Sequence, residues 1–541
     1  SPKGDAVAFV AEEAETALEA RRREWYGEWG VEDREYRQPH LWLATVRADQ
    51  AAPDSQPRRL THGSDFGVFA LAWAPDGARI AFERRPDPLI TSGSRSDIML
   101  LDMASGTVTP LVATAGSDAN PVWSPDGAWV AYLSSAGDTV SNYYRNTHLL
   151  KVPATGGSPV RLAANLDENP GQVRWTGAGL FVLALRKTKR HLFKVDPVSG
   201  LAAPFGTTPD FIQAVDVTPD GQAMALLAQT PTTLPEVYRT PVEPYAPVAA
   251  TNLSHQIAEW VLGSTEVVTW KSRDGASIEG VLHKPAEFDP SRRYPLLVLI
   301  HGGPTGIDYP TPVYGSVYPV HQWLAKGALV LRPNYRGSAG YGEAFRSLNV
   351  RNLGVGDAWD VLSGVDYLVG RQWVDTTRMG AMGWSQGGYI SAFLTTTSRR
   401  FRAISVGAGI SNWMTYYVNT DIHPFTRQYL KGTPWSDPQV YAKTSPMTFI
   451  PQARTPTLIQ HGEFDRRVPI PNAYELYQGL LDQGVEAQLI GYKGFGHGIS
   501  KPKERLAAVW HNWQWFARHL WDETVELPLG DVAVSASHGG K

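Results

Sequence analysis

The chain contains no cysteine in 541 residues. That excludes disulfides, a thiol nucleophile and cysteine-ligated metal, and it suits a reducing or an oxidising compartment equally. Charge imbalance is nearly absent too: a formal net charge of -3 gives no reason to expect nucleic acid or a membrane surface as partner. No run approaches the ~18 consecutive apolar residues of a membrane span. The 14 histidines form no H-E-x-x-H motif or close-spaced cluster, so the residues call for neither a metal nor a cofactor. What is left is a chain of ordinary globular composition, long enough for two domains. Its 19 tryptophans fall mostly in strand repeats and helices, where core packing is their expected role.

The run Gly383-Trp384-Ser385-Gln386-Gly387-Gly388 follows the strand-like stretch 378–382 and opens the helix-like stretch 389–394. This is a nucleophile elbow in the context it needs. A serine hydroxyl is a poor nucleophile near neutral pH, so it must sit on a sharp turn where a histidine can take its proton. Small residues on either side let the backbone make that turn. A lone G-x-S-x-G is only suggestive, and the partners decide.

In the α/β-hydrolase order the acid and the base follow the serine. His511 and His519 lie in an amphipathic stretch that predicts a terminal helix and structural roles, and His538 lies in a Gly/Ser tail. His497 remains, flanked by Gly496 and Gly498 just after the strand-like run 486–490. The carboxylate should sit on a loop at a strand end, where it can hold the imidazole in one tautomer. Asp465 does so, in the loop fed by the apolar run 455–462; Glu463 is its nearest rival on the same loop. The run 296–300 ends in His301-Gly302-Gly303-Pro304, which can present bare N–H groups to an oxyanion. Gly303 and Gln386, the residue after the nucleophile, are the expected donors. His301 and His461, each beside glycine at a strand end, read as loop supports.

The first half repeats a phrase of small residue, Pro, Asp or Lys, and Gly before an alternating apolar strand. Copies stand at Ser1-Pro2-Lys3-Gly4, Ala74-Pro75-Asp76-Gly77, Ser124-Pro125-Asp126-Gly127 and Thr218-Pro219-Asp220-Gly221, with a degenerate one at Trp175-Thr176-Gly177-Ala178-Gly179. The steps are 73, 50, 52 and 42 residues. Self-similarity at about 40 to 50 residues in a strand-rich chain predicts a β-propeller. At ~45 residues per blade the segment accommodates five to six blades.

Together, His301-Gly302-Gly303-Pro304, Asn334-Tyr335-Arg336-Gly337-Ser338, the Ser385 elbow, His461-Gly462 with Asp465 and Arg467, and Gly496-His497-Gly498 resemble the prolyl oligopeptidase family of serine peptidases. The similarity is greatest to its acylaminoacyl-peptidase and dipeptidyl-peptidase branches. The spacings fit, with 80 residues from Ser385 to Asp465 and 32 from Asp465 to His497. The resemblance implies a propeller that covers the active site and screens substrates by size. It also implies that Arg467 binds the substrate carbonyl at P2, and that Trp413, Tyr416 and Val468 line the S1 pocket and favour a hydrophobic or proline residue there. Relatives that hold the oxyanion with a tyrosine side chain carry it where this chain has His301, which throws the task here onto backbone N–H groups. The family usually has seven or more blades, and this chain starts at Ser1 inside a blade phrase, so an N-terminal piece is expected to be missing.

The stretch 11–39 carries mixed charge and lengthens the first repeat step. It reads as an insertion with a solvated helix face, or alternatively as an arm that reaches the cavity between domains, where a glutamate could bind a free peptide N-terminus. The expected architecture is a β-propeller over 1–263, an α/β-hydrolase domain with a doubly wound, mostly parallel sheet over 264–526, and a tail over 527–541. The expected activity is a serine peptidase that hydrolyses short peptides near the N-terminus through an acyl-enzyme, of acylaminoacyl-peptidase or dipeptidyl-peptidase type. A carboxylesterase, an oligopeptidase or carboxypeptidase of the same family, and a non-catalytic binding protein are the alternatives. Short peptides are the expected partners, with no nucleic acid and no membrane. A homo-oligomer stays open, and localisation leans to the cytoplasm with periplasm or secretion open.

Overall fold

The computed structural model describes residues 1–46, 56–139 and 143–527. The expected tail, from 528 on, and His538 lie outside the described residues. In the first half the recurrent phrase is a tight turn. The N–H groups of Gly4, Gly77, Gly127 and Gly221 donate to the carbonyls of Ser1, Ala74, Ser124 and Thr218 over 2.8 to 3.1 Å. All four glycines have φ between 69 and 72°, a left-handed conformation that costs glycine little. Oδ1 of Asp76, Asp126 and Asp220 accepts the N–H two residues on, at 2.9 to 3.0 Å. The aspartate thus closes a turn of its own and repeats for that reason.

The first turn precedes an antiparallel meander, and each of the others joins the first two strands of one. Among the described residues there are five: a three-stranded unit (Ala6–Glu12, Pro39–Thr45, Arg58–Arg59), four-stranded units spanning 67–112 and 118–162, and two further units spanning 173–206 and 211–249. The last two are joined through a single parallel bridge between Arg190 and Phe211. Ala81, Ile98 and Leu100 of the second unit pack with Trp123, Val130 and Tyr132 of the third in one buried cluster, so the sheets stack face to face as propeller blades do. The stretch 11–39 contains a helix, Ala17–Tyr26, begun by a capping box between Thr16 and Glu19 and without a buried residue.

The second half forms one eight-stranded sheet: β1 (Ser264–Lys271), β2 (Ser277–Lys284), β3 (Tyr294–Ile300), β4 (Leu329–Asn334), β5 (Val374–Trp384), β6 (Ala403–Gly407), β7 (Thr457–Gly462) and β8 (Ala487–Tyr492). Its order is β1-β2-β4-β3-β5-β6-β7-β8, antiparallel up to the β2–β4 pair and parallel beyond. Every residue of β3 is buried because helices cover both faces. Leu296, Val298 and Ile300 point into a core shared with α1 (Gly356–Gly370) and α2 (Gln386–Thr397), whereas Leu297 and Leu299 point into one shared with the Val320–Ala325 helix. The first core also takes α3 (Trp413–Asn419), α4 (His423–Leu430) and α5 (Pro471–Asp482), and α6 (Pro502–Trp521) closes the second face. This is a doubly wound hydrolase sheet, and ligands bind such sheets at the carboxyl ends of the parallel strands.

The propeller docks on that end. Asn146 N–H donates to Glu343 at 2.8 Å, Tyr143 N–H to Gln428 at 2.9 Å and Lys187 N–H to the Gly340 carbonyl at 2.6 Å. Arg346, with no exposed surface, pairs with Glu168 of the propeller, which also accepts from the Gly340 N–H. The hydrolase partners come from the loop after β4 and from α4.

Candidate active site

Ser385 follows β5 directly and caps α2 with φ 61° and ψ -119°, a strained conformation for any residue with a side chain. The surrounding glycines follow from packing. A Cβ on Gly387 would lie 2.0 Å from the Ile300 carbonyl oxygen, and one on Gly388 would lie 2.1 Å from that of Gly407. The Ser385 N–H donates to the Gly407 carbonyl at 2.9 Å, which ties the turn to β6.

The structure brings Ser385, Asp465 and His497 together. Nε2 of His497 lies 2.8 Å from Oγ of Ser385, and its Nδ1 lies 2.7 Å from Oδ2 of Asp465. Oδ1 of Asp465 accepts the N–H groups of Arg467 and Val468, each at 2.9 Å. The carboxylate is therefore fixed before the imidazole arrives, while the rival Glu463 points to solvent. The imidazole keeps 32 % of its surface open, enough to meet a substrate.

Three neighbours hold this relay. Nε1 of Trp384 donates to the His497 carbonyl at 2.7 Å, so the residue before the nucleophile anchors the loop of the base. His461 is buried and bonds the Val468 carbonyl through Nε2 at 2.6 Å; burial lowers its pKa, which suits a neutral support. His301 stacks on Tyr335 with ring centres 4.4 Å apart and bonds Ser338 at 2.9 Å, and desolvation lowers its pKa as well. His511 and His519 lie in α6. A Cβ on Gly302 would come within 3.3 Å of the Ser385 Cβ, so the Gly302-Gly303 loop runs beside the nucleophile. Gly303 is exposed there, with φ 135°. Gln386 opens α2, and its N–H is one of the four that a helix leaves without an intrahelical partner.

Arg467, two residues after Asp465, donates from Nε to Oδ1 of Asp421 at 2.9 Å. That pairing raises the Arg467 pKa and orients the fork. Asp421 escaped the sequence reading because it lies 46 positions away and carries no motif. Trp413 and Tyr416 are buried in the hydrolase core. They are 0 % and 1 % exposed, in an aromatic cluster with Tyr389 and Phe425, and Nε1 of Trp413 is spent on the Thr444 carbonyl. Val468 is 2 % exposed and follows the Asp465 loop inward. The helix of the 11–39 stretch is solvated, as one of the two readings expected, and Glu32 lies 3.5 Å from Arg466 in an exposed pair.

A nucleophile elbow after the fifth strand, an acid after the seventh and a histidine after the eighth, in bonding contact, make this a serine hydrolase. Residues 316–523 match the prolyl oligopeptidase family. They belong to it. The whole chain is similar to a peptidase of Bacillus subtilis, YuxL, at 26 % identity over 91 % of this chain and 88 % of that protein. It is similar also to dipeptidyl-peptidase 5 of Porphyromonas gingivalis, at 24 % identity over 81 % of this chain but only 65 % of the relative's length. In three dimensions it resembles an acylaminoacyl peptidase of Pyrococcus horikoshii with a TM-score of 0.65 at 19 % identity, covering 90 % of this chain and 86 % of that one. That likeness carries the propeller-plus-hydrolase fold.

Proposed function

We propose that this serine peptidase cleaves short peptides near their N-terminus through an acyl-enzyme. The observation that carries the reading is the continuous Asp465–His497–Ser385 relay, with Arg467 braced by Asp421 beside it. Oγ of Ser385 attacks the scissile carbonyl carbon as Nε2 of His497 takes its proton. Asp465 holds Nδ1–H and stabilises the imidazolium. The N–H groups of Gly303 and Gln386 donate to the oxyanion. Collapse breaks the C–N bond, His497 protonates the leaving amine, and water then releases the acyl group by the same route reversed. Arg467 donates to a carbonyl one residue upstream, which a peptide has and a simple ester lacks. The propeller, docked over the strand ends, limits entry to short chains.

The N-terminal residue can be free or blocked. Glu32, carried to the Asp465 loop by its contact with Arg466, supports the free-amine form, since a carboxylate there can meet an ammonium group. Matched anilides decide: acetyl-blocked single residues, free-amine dipeptides and a peptide blocked at both ends, with Ser385→Ala as control. The free dipeptide is expected to give the highest kcat/KM, and Arg467→Ala is expected to lower it about tenfold or more through loss of a charged hydrogen bond. Cleavage of the doubly blocked peptide alone would sink the exopeptidase reading, and activity on esters alone would sink the peptidase reading.

A further inference from the structure

Behind the nucleophile elbow sits a carboxyl that the relay does not use. Asp357, near the start of α1, has no exposed surface. Its Oδ1 accepts the Ala358 N–H at 2.8 Å, and its Oδ2 lies 3.5 Å from Nε2 of Gln386, whose own side chain is sealed in. The groups facing Asp357 are Asp360 on the same helix, Arg336 and the Tyr335 phenol from the loop after β4, and the Tyr389 phenol from α2. Arg336 is already committed: its N–H, Nε and Nη2 bond Asp360 at 2.7 to 2.9 Å, and Nη1 and Nη2 bond Asp274 at 2.7 and 3.0 Å. Among the described residues no cation is paired with Asp357. Burial, reinforced by Asp360, pushes its carboxyl up to about 7.

We propose that Asp357 is a positioning residue for the oxyanion: it holds the Gln386 side chain, and with it the Gln386 N–H, and its charge state sets how readily the substrate oxygen takes up negative charge. This rests on the reading of Ser385 and Gln386 given above. While Asp357 is protonated, it adds no charge behind the oxyanion site. Once it ionises, a fixed anion in a poorly solvated interior opposes the negative charge of the transition state. The rate therefore rises with pH as His497 becomes free to act as a base, then falls above neutrality as Asp357 loses its proton.

The test compares wild type, Asp357→Asn and Gln386→Ala in kcat and KM on the best anilide between about pH 5.5 and 9.5, with fluorophosphonate labelling to count competent sites. Asp357→Asn is expected to label fully, keep its KM and lose the alkaline fall. At about pH 9 its kcat, relative to its own maximum, should exceed that of wild type roughly tenfold. Gln386→Ala keeps the backbone N–H, and it is expected to lower kcat severalfold with KM nearly unchanged. Superimposable profiles for wild type and Asp357→Asn would overturn the proposal. Should Asp357→Asn fail to fold, an unaltered kcat in Gln386→Ala would overturn it instead. A wild type that the reagent does not label, or a Ser385→Ala variant that it labels equally, would overturn the reading of the nucleophile and this proposal with it.

Discussion

Asp465 shows how much one side chain decides. Its two oxygens do different work, Oδ1 on the N–H groups of Arg467 and Val468 and Oδ2 on His497. Asparagine can keep the first set through its carbonyl but must turn an N–H₂ toward Nδ1, which forces the wrong tautomer. Asp465→Asn is thus expected to fold normally and to lose roughly 10⁴ in kcat, measured against unchanged thermal unfolding. Asp357 makes the opposite point, since it costs the fold something. Its folded pKa is raised from the ordinary 3.8 to about 7, so between those values the folded state holds a proton that the unfolded state has released. Stability therefore falls as pH rises through this window, and the loss is complete above neutrality. Asp357→Asn is expected to be more stable than wild type at about pH 8, by at most about 4 kcal/mol, and the gain should vanish near pH 4. Urea unfolding at the two pH values checks it. Ser385 and His497 were legible because each sits in a local motif; Asp421 and Asp357 were not, because their partners lie far off in sequence.

At the scale of elements, the elbow is a packing problem solved by glycine. The Gly387 Cα faces the end of β3 so closely that a methyl group would stand 2.0 Å from the Ile300 oxygen. Gly387→Ala must therefore push α2 away from the sheet. It is expected to cost about 2–3 kcal/mol and to abolish fluorophosphonate labelling. Trp384 ties the elbow to the His497 loop through one hydrogen bond. Trp384→Phe should leave the fold intact and lower kcat roughly five- to tenfold, which is what a lost bond of about 1 kcal/mol would allow. The order of strand, elbow and helix was readable from the sequence because apolar runs and glycines are local signals. The burial of Trp413 and Tyr416 was not: a run of aromatics on a short helix fits a pocket wall or a core, and only the neighbours Tyr389 and Phe425 choose between them.

For the whole molecule, the contact between halves is held by a buried charge. Arg346 and Glu168 pair with almost no solvent between the loop after β4 and the propeller. Glu168→Ala strands a guanidinium in the interface and is expected to weaken domain docking by about 3–5 kcal/mol. Faster limited proteolysis between the domains, together with new activity on longer peptides, would register it. The repeat period and the strand, elbow and helix motifs determined from sequence alone that a propeller precedes a hydrolase, because turn chemistry and strand alternation are written in adjacent residues. Tertiary structure alone decided which carboxylates end up beside which cations and catalytic groups: Asp421 on Arg467, Glu168 on Arg346, Asp357 behind Gln386. Those pairings depend on where separate elements are brought by burying their apolar faces, and no spacing along the chain encodes that distance.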